Sequence, residues 1–199
     1  MVKVYLANVN ALREEEAFAS NLQYVCSERK DKVLRCKQRE DQLRSLAAGL
    51  LLRHAIEREG IVYETVKTSY NSHGKLMLEI PGRTLWVSIS HSGDFAAVAI
   101  SDRKVGLDLQ QDRTMRSEDR MRELCFTEEE KKREEPFIYT WTRKESYAKM
   151  LGLGLQIDLR ELDTTKSEMF STSRIEGDYW ISICTEEKEE DILYTTVAI

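Results

Sequence analysis

Proline and glycine are scarce in this sequence, with only 2 Pro and 9 Gly among 199 residues. No run of about 18 apolar residues occurs, so no membrane-spanning helix is predicted. The four cysteines form no C-x-x-C pair, which favours free thiols in a reducing cytoplasm and argues against a zinc site. The net charge of −5 excludes the general basic surface expected of a nucleic-acid-binding protein. The composition is that of a globular protein, with 41% hydrophobic and 33% charged residues.

The apolar spacing predicts a mixture of strands and helices. Alternation over residues 1–8 indicates a first strand rather than a signal peptide. Apolar residues at three- and four-residue spacing predict one long helix from Arg29 to Glu59, with Ser27 as its N-cap and Gly60 after its end. Later in the chain, Thr127 begins a capping-box pattern, and a further helix is predicted to stop at Gly152.

Three strands in series are predicted at residues 86–90, 95–101 and 105–110, and Asp108 is expected where the third strand ends. A carboxylate in an apolar strand needs a partner, because burying an unpaired charge costs free energy. One partner is a cation such as Mg²⁺, which takes oxygen ligands. The other interpretation is an ordinary acid that caps the strand or forms a salt bridge.

Basic residues cluster in the first half of the predicted long helix, although the whole chain is acidic. They are Arg29, Lys30, Lys32, Arg35, Lys37, Arg39 and Arg44. Clustered Lys and Arg side chains can bind phosphate groups. Charge runs also occur on ordinary solvated helix faces, and the spacing alone leaves both interpretations open.

Trp141, Glu145 and Lys149 are spaced by four residues and therefore share one face of a predicted helix. The pair Glu145 and Lys149 could be a surface ion pair, which stabilises a helix by only a few tenths of a kcal/mol. Alternatively, Glu145 supplies a second carboxylate to a cation at Asp108, and Lys149 neutralises a phosphate oxygen one turn later.

Four segments in this order resemble one family. They are Ile-Ser-His-Ser-Gly at 89–93, Val-Gly-Leu-Asp-Leu at 105–109, Phe-Thr-Glu-Glu-Glu at 126–130 and Trp-Thr-Arg-Lys-Glu-Ser-Tyr-Ala-Lys-Met-Leu-Gly at 141–152. The set, with its W-x-x-K-E-S-x-x-K element, is similar to the 4′-phosphopantetheinyl transferases of the long, surfactin-synthetase-activating (Sfp) type. The resemblance covers roughly residues 25 to 155, and the length fits that type.

The resemblance implies a fold and an activity. The fold is α+β, with two pseudo-symmetric halves at 1–104, which contacts the phosphates and adenine of coenzyme A, and 105–199, which carries the metal-site helix and the carrier-protein contacts. The active site lies between them. The enzyme is a transferase of the holo-[acyl-carrier-protein] synthase type. It moves 4′-phosphopantetheine from coenzyme A to a serine of an apo acyl or peptidyl carrier protein, releases adenosine 3′,5′-bisphosphate and uses Mg²⁺. A cytoplasmic monomer is expected, without nucleic-acid or membrane partners.

The resemblance also assigns the chemistry to particular residues. Asp108 and Glu145 match metal ligands, and Glu145, or a metal-bound water beside it, is the candidate base that deprotonates the carrier serine. Lys149 matches a lysine that stabilises the leaving phosphate. Lys144 belongs to the same motif and is expected to support phosphate more weakly. Many relatives have an acid where this chain has Gln110, so Gln110 is expected to offer only a neutral amide oxygen to the metal.

The same comparison implies the residues that bind coenzyme A. Arg29, Lys32 and Arg44 match bases around its 3′-phosphate, and His91 matches a histidine in contact with that phosphate. The full predicted binding set is Arg29, Lys32, Arg44, Lys75 in a G-K turn near the adenine, Ser90, His91 and Asp108.

An alternative from a different functional class is a catalytically inactive protein that binds coenzyme A or a carrier protein. Carrier docking is expected in the second half of the chain, on apolar side chains that could equally be core residues. The apolar candidates are Met115, Met121, Leu153, Leu155 and Ile157, and the basic ones are Arg113, Arg116, Arg120 and Arg122.

Overall fold

A computed structural model describes residues 1–113, 117–154, 157–189 and 191–199. The strands in chain order are β1 (Val2–Asn8), β2 (Lys67–Tyr70), β3 (Leu76–Glu79), β4 (Trp86–Ser92), β5 (Phe95–Ser101), β6 (Val105–Gln111), β7 (Phe170–Ile175), β8 (Tyr179–Thr185) and β9 (Ile192–Thr196). The helices are α1 (Glu15–Asn21), α2 (Ser27–Arg35), α3 (Arg39–Arg58), α4 (Glu118–Cys125), α5 (Glu128–Lys131) and α6 (Phe137–Leu151). The α+β class predicted from the sequence is confirmed.

Two sheets organise the molecule. One has the strand order β4-β5-β1-β9, and the other has the order β6-β8-β7. The short β2–β3 hairpin forms a separate pair. Strand β9 comes from the C-terminal end of the chain but pairs in parallel with β1, so the last strand returns to the N-terminal sheet.

Alternating apolar residues bury both faces of the four-stranded sheet. One face packs on α3, where Leu46 and Leu50 join Val98 in one core cluster. The opposite face packs on the three-stranded sheet, where Val4 joins Leu107 in a second cluster. Alternate side chains of a strand point to opposite faces of its sheet. Asp108 follows Leu107 in β6, so its side chain points away from the second cluster and toward α6.

The single long helix predicted from Arg29 to Glu59 is wrong, because the structure has two helices, α2 and α3, separated at Cys36–Gln38. Lys37 and Gln38 between the two helices are polar and exposed, so no apolar contact holds them as a helix on the core. The side-chain amide of Gln42 donates to the freed carbonyl of Cys36 at 3.0 Å. The N-cap of α2 is Cys26 rather than the predicted Ser27.

Other helix boundaries follow the sequence signals. Gly60 has a φ of 74° immediately after the α3 cap residue. Thr127 and Glu130 form the predicted capping box at α5, and Gly152 ends α6 in the left-handed conformation. Within the described ranges, no helix is long and apolar enough to cross a membrane.

Candidate active site

A pocket of about 410 Å³ lies between the β2–β3 hairpin, β4, β6 and α6. Its volume falls within the range typical of small-molecule sites. Nine of the ten residues predicted to form the site line it, namely Arg29, Lys32, Lys75, Ser90, His91, Asp108, Gln110, Glu145 and Lys149. The tertiary fold therefore brings together groups that are up to 120 positions apart in the sequence, from Arg29 to Lys149.

Asp108 is the central acid of this pocket and is only 1% exposed. The expectation that it ends a strand is wrong, because it is the fourth residue of the seven-residue strand β6. Its Oδ1 accepts hydrogen bonds from Ser90 Oγ at 2.8 Å and from Lys149 Nζ at 2.6 Å. Its Oδ2 accepts from Gln110 Nε2 at 3.2 Å. Asp108 is therefore ion-paired with Lys149.

Strand β4 approaches β6 through serine side chains rather than through backbone pairing. The backbone N–H groups of Leu107 and Leu109 donate to Ser88 Oγ at 2.9 Å and to Ser90 Oγ at 3.1 Å. Gln111 continues this pattern one step further along the strand. Because buried backbone N–H groups need acceptors, the serines join the edges of the two sheets and fix Ser90 beside Asp108.

Glu145 faces the same pocket from α6 but has a different environment. Within the described residues, its carboxylate forms no hydrogen bond or ion pair. Burial, followed by the negative charge of Asp108, raises the pKa of Glu145 to about 7, and the positive charge of Lys149 opposes this shift. A carboxyl group that titrates near neutral pH is suited to accept a proton in catalysis.

A divalent cation fits these side chains chemically. Two carboxylates, those of Asp108 and Glu145, line the pocket, and Glu145 lacks a hydrogen-bond or ion-pair partner among the described residues. Carboxylate oxygens are ligands that Mg²⁺ prefers, usually together with water and substrate phosphates. No group of three or more His, Cys, Asp or Glu side chains suited to a metal occurs in the described chain. Gln110 occupies the neighbouring position, and its Oε1 accepts from Ser92 Oγ at 3.3 Å.

Basic side chains, among them Arg29 and Lys32, also line the pocket. Arg29 is 5% exposed, and its side chain crosses Gly49, where an added Cβ would come 2.8 Å from Arg29 Cγ. Within the described residues, Arg29 forms no hydrogen bond or ion pair. Lys32 lies near it, 5.3 Å from the centre of the Tyr70 ring. A buried guanidinium without a carboxylate partner is suited to bind an anionic ligand.

His91 lies in the pocket wall beside these cations. Its imidazole is accessible from the open pocket, but the surrounding protein removes much of its bulk water. This desolvation, followed by the positive charges of Lys149, Arg44 and Lys32, lowers the pKa of His91 to about 4. The imidazole is therefore neutral at physiological pH.

Arg44 and Lys75 differ from the other predicted basic residues. Arg44 is not among the pocket-lining residues, and its guanidinium donates to the Gly93 carbonyl at 3.0 Å and to Asp41 at 2.7 Å. Lys75 lines the pocket, but its ammonium donates to backbone carbonyls at the end of α6. Burial, and secondarily Lys104, lowers the pKa of Lys75 to about 8.

The expected phosphate contact of Lys144 is wrong. Its side chain is fully buried, and its ammonium lies 2.8 Å from Glu130, which is equally buried. The same ammonium donates to the carbonyls of Leu159 and Leu162 at 2.6 and 2.7 Å. Lys144 thus joins α6 to α5 and to the segment that follows α6.

Sequence reasoning missed several groups that shape the site. Ser88 and Ser92 flank the predicted Ser90 at every second position of Ser-Ile-Ser-His-Ser (88–92), and this alternation indicates one face of a strand. The Glu130–Lys144 pair and the contacts of Asn71 and Lys75 with α6 had no such signal. Of the expected docking residues, Met115, Leu155 and Arg116 lie outside the described residues.

Two sequence-family models match adjoining parts of the chain. A model described as 4′-phosphopantetheinyl transferase, N-terminal, matches residues 13–103. A model described as the 4′-phosphopantetheinyl transferase superfamily matches residues 104–196. Together they span nearly the whole chain, and both descriptions name the same transferase.

Curated relatives agree with these matches. The chain is 26% identical over 165 residues to 4′-phosphopantetheinyl transferase Sfp of Bacillus subtilis (strain 168), covering 78% of this chain and 71% of the relative. It is 27% identical to 4′-phosphopantetheinyl transferase psf-1 of Bacillus pumilus, covering 64% of this chain and 58% of the relative. It is 28% identical to 4′-phosphopantetheinyl transferase gsp of Aneurinibacillus migulanus, covering 72% and 63%. The alignments thus span 58 to 71% of the relatives.

Proposed function

This chain belongs to the 4′-phosphopantetheinyl transferases, and we propose that it transfers the 4′-phosphopantetheine moiety of coenzyme A to a serine of an apo acyl or peptidyl carrier protein. One observation carries the proposal. A single pocket is lined by Arg29, whose guanidinium forms no hydrogen bond or ion pair with the described residues, and by the acids Asp108 and Glu145 with Lys149. Such a pocket suits a ligand with separate phosphate groups.

The reaction is a phosphoryl-type transfer. The carrier serine oxygen attacks the phosphorus that bears pantetheine, and a new P–O bond forms. The bond from that phosphorus to the bridging oxygen breaks, and its electron pair leaves with adenosine 3′,5′-bisphosphate. The serine proton moves to a base. We propose Glu145 as this base, since its carboxylate lines the pocket close enough to Asp108 for the two charges to interact.

The basic residues of the pocket would hold the 3′-phosphate of coenzyme A. Arg29 and Lys32 would supply positive charge, and His91 lines the same pocket, where the charges of Lys149 and Lys32 act on it. Arg44 would contribute positive charge, since its charge acts on His91 while its guanidinium is hydrogen-bonded to Gly93. Ser90, which is hydrogen-bonded to Asp108, would lie beside the pyrophosphate, and the turn at Lys75 would form the wall for the adenine.

Asp108 and Glu145 would hold Mg²⁺, with the amide oxygen of Gln110 or water beside them. A bound Mg²⁺ supplies charge neutralisation of the pyrophosphate oxygens and helps to orient them for in-line attack. Lys149, which is ion-paired with Asp108, lines the same pocket and would stabilise the charge that develops on the leaving phosphate.

The proposed partner is an acyl or peptidyl carrier protein that contacts the second half of the chain. Leu124 and Leu153 are exposed by 55% and 40%, and an exposed large apolar side chain is suited to a partner surface. Arg120 and Arg122 on α4 would add local positive charge for an acidic partner. A monomeric, cytoplasmic enzyme without nucleic-acid or membrane partners completes the proposal.

Intact-mass spectrometry tests the transfer directly. The protein is incubated with coenzyme A, Mg²⁺ and a panel of apo carrier proteins, and each carrier is weighed. We expect a mass gain of one phosphopantetheine, and none on a carrier whose acceptor serine is replaced by alanine. Binding of coenzyme A without any mass gain across the panel would instead support the inactive binding protein.

A further inference from the structure

The C-terminal end of α6 is held by side chains from the other half of the chain. The last carbonyls of a helix lack partners within the helix and need donors from elsewhere. The N–H of Gly152 returns to Ala148 at 3.0 Å, which satisfies one carbonyl. The carbonyls of Lys149, Met150 and Gly152 receive their hydrogen bonds from the turn that connects β2 and β3.

Lys75 makes most of these contacts. Its Nζ donates to the carbonyls of Lys149 at 2.6 Å, Met150 at 3.1 Å and Val105 at 3.3 Å. An ammonium has three hydrogens, so these three acceptors use its whole donor capacity. A positive charge at a helix C-terminus is also favoured by the helix dipole. Lys75 therefore connects the end of α6 to the start of β6.

Asn71 supports Lys75 and adds a fourth contact. Its Nδ2 donates to the carbonyl of Gly152 at 2.8 Å. Its Oδ1 accepts from the backbone N–H groups of His73 and Lys75, both at 2.9 Å. The Asn71 side chain thus stabilises the hairpin turn and also hydrogen-bonds that turn to the C-terminal end of α6.

Gly152 is required for this approach. A Cβ at this position would come 2.9 Å from Lys75 Cδ and 3.2 Å from Asn71 Nδ2. The φ of 72° at Gly152 is also one that other residues rarely adopt. The glycine that ends α6 therefore leaves space for the lysine side chain to pass.

We propose that Lys75 and Asn71 are positioning residues that set the place of the α6 end, and with it Lys149 and Glu145, relative to Asp108. The shortest hydrogen bond from Lys75 is to the carbonyl of Lys149, and the ammonium of Lys149 is ion-paired with Asp108. Glu145 lies one turn earlier in α6. This inference rests on the proposed transferase function. It assigns the Lys75 ammonium to the protein backbone rather than to a phosphate or the adenine of coenzyme A.

The main test compares Lys75→Met with Lys67→Met. The methionine keeps an apolar stem over Gly152 but removes all three donors, whereas Lys67 is an exposed lysine of the same hairpin and serves as the control. Amide hydrogen exchange over residues 148–154 is measured without substrates. We expect exchange in this segment to rise by about tenfold or more in Lys75→Met and to stay unchanged in Lys67→Met.

Kinetics and calorimetry distinguish positioning from ligand contact. For Lys75→Met we expect kcat to fall by about tenfold or more, while the Kd for coenzyme A changes by less than about threefold. Lys75→Arg keeps a charged donor and should recover part of kcat. A tenfold weaker Kd with normal kcat would overturn the proposal in favour of a direct ligand contact, and so would unchanged exchange over 148–154.

A second variant covers the case in which Lys75→Met does not fold. Asn71→Asp keeps the oxygen that accepts within the turn but removes the donor to Gly152. Exchange over residues 148–154 should therefore rise and kcat should fall, both by less than in Lys75→Met. Exchange and kcat both equal to wild type in Asn71→Asp would overturn the role of Asn71. If the wild-type protein transfers nothing, the proposed function fails, and the exchange data still decide the helix contact.

Discussion

Gly106 of β6 lies directly against the backbone of α6 at Ser146. A Cβ at Gly106 would overlap the Ser146 carbonyl oxygen and stand 2.5 Å from Met150 N. Backbone atoms of a helix cannot rotate aside as a flexible side chain can, so only glycine permits this approach. The contact brings α6 close enough for Lys149 Nζ to reach Asp108, two residues after Gly106.

Replacing this glycine should separate the helix from the strand. We expect Gly106→Ala to lower the free energy of unfolding by about 3 kcal/mol or more, because the overlap involves backbone atoms. Gly177→Ala is the control: Gly177 has a φ of 73° and no atom near an added Cβ. Gly177→Ala should lower the free energy of unfolding by only about 1–2 kcal/mol, because alanine is less stable than glycine in the left-handed conformation. Equal costs in denaturant unfolding would contradict the proposed close packing.

Glu145→Gln tests the proposed base. Removing a general base lowers turnover by about 10²–10⁴-fold, and we expect a loss in that range in the mass-gain assay. The fold should survive, because the amide has nearly the same shape. Glu16→Gln, on the exposed surface of α1, should leave turnover unchanged.

The raised pKa of Glu145 gives this variant a second signature. The folded protein holds the proton more tightly than the unfolded chain, so wild-type stability falls as pH rises from 4.5 to about 7. Glu145→Gln lacks this titration. Its free energy of unfolding, relative to that of wild type, should therefore rise by on the order of 2 kcal/mol from pH 5 to pH 8 in metal-free buffer. Parallel stability curves for the two proteins would refute the raised pKa.

His91 should link coenzyme A binding to proton uptake. Its pKa of about 4 in the free protein reflects desolvation and neighbouring cations, and a 3′-phosphate beside it would offset those positive charges. Binding at pH 6 should therefore take up protons, which calorimetry in buffers of different ionisation enthalpy detects. Dephospho-coenzyme A, or the variant His91→Gln, should show no such uptake. Equal uptake with both ligands would exclude the contact between His91 and this phosphate.

Gln110→Glu should change the metal dependence. The variant loses the donor to Asp108 and adds a third carboxylate, so we expect a lower melting temperature in chelator and a larger rise on adding Mg²⁺. The Mg²⁺ concentration for half-maximal transfer should fall by about tenfold, which corresponds to 1.4 kcal/mol. Gln111→Glu, the neighbouring position, is the control. Identical Mg²⁺ titrations for wild type and Gln110→Glu would rule out Gln110 as a neighbour of the metal.

Local patterns predicted the elements that carry the chemistry. The i, i+4 spacing places Glu145 and Lys149 on one face of a helix, since that period is a property of the helix itself. The capping box at Thr127 and the terminating Gly152 were equally local, and both are confirmed. The family and the α+β class followed from the ordered motifs. The catalytic and binding roles of the individual residues stay predictions.

The sequence alone therefore determined which side chains are available and which of them share an element. Only the tertiary structure decided what those side chains contact. Lys144 and Lys149 are close neighbours in one helix. The Lys144 ammonium nevertheless forms a buried ion pair with Glu130, whereas that of Lys149 is ion-paired with Asp108. Lys75 reaches a helix end 74 positions away. Such contacts leave no periodic signal in the sequence, because they depend on how two distant elements pack against each other.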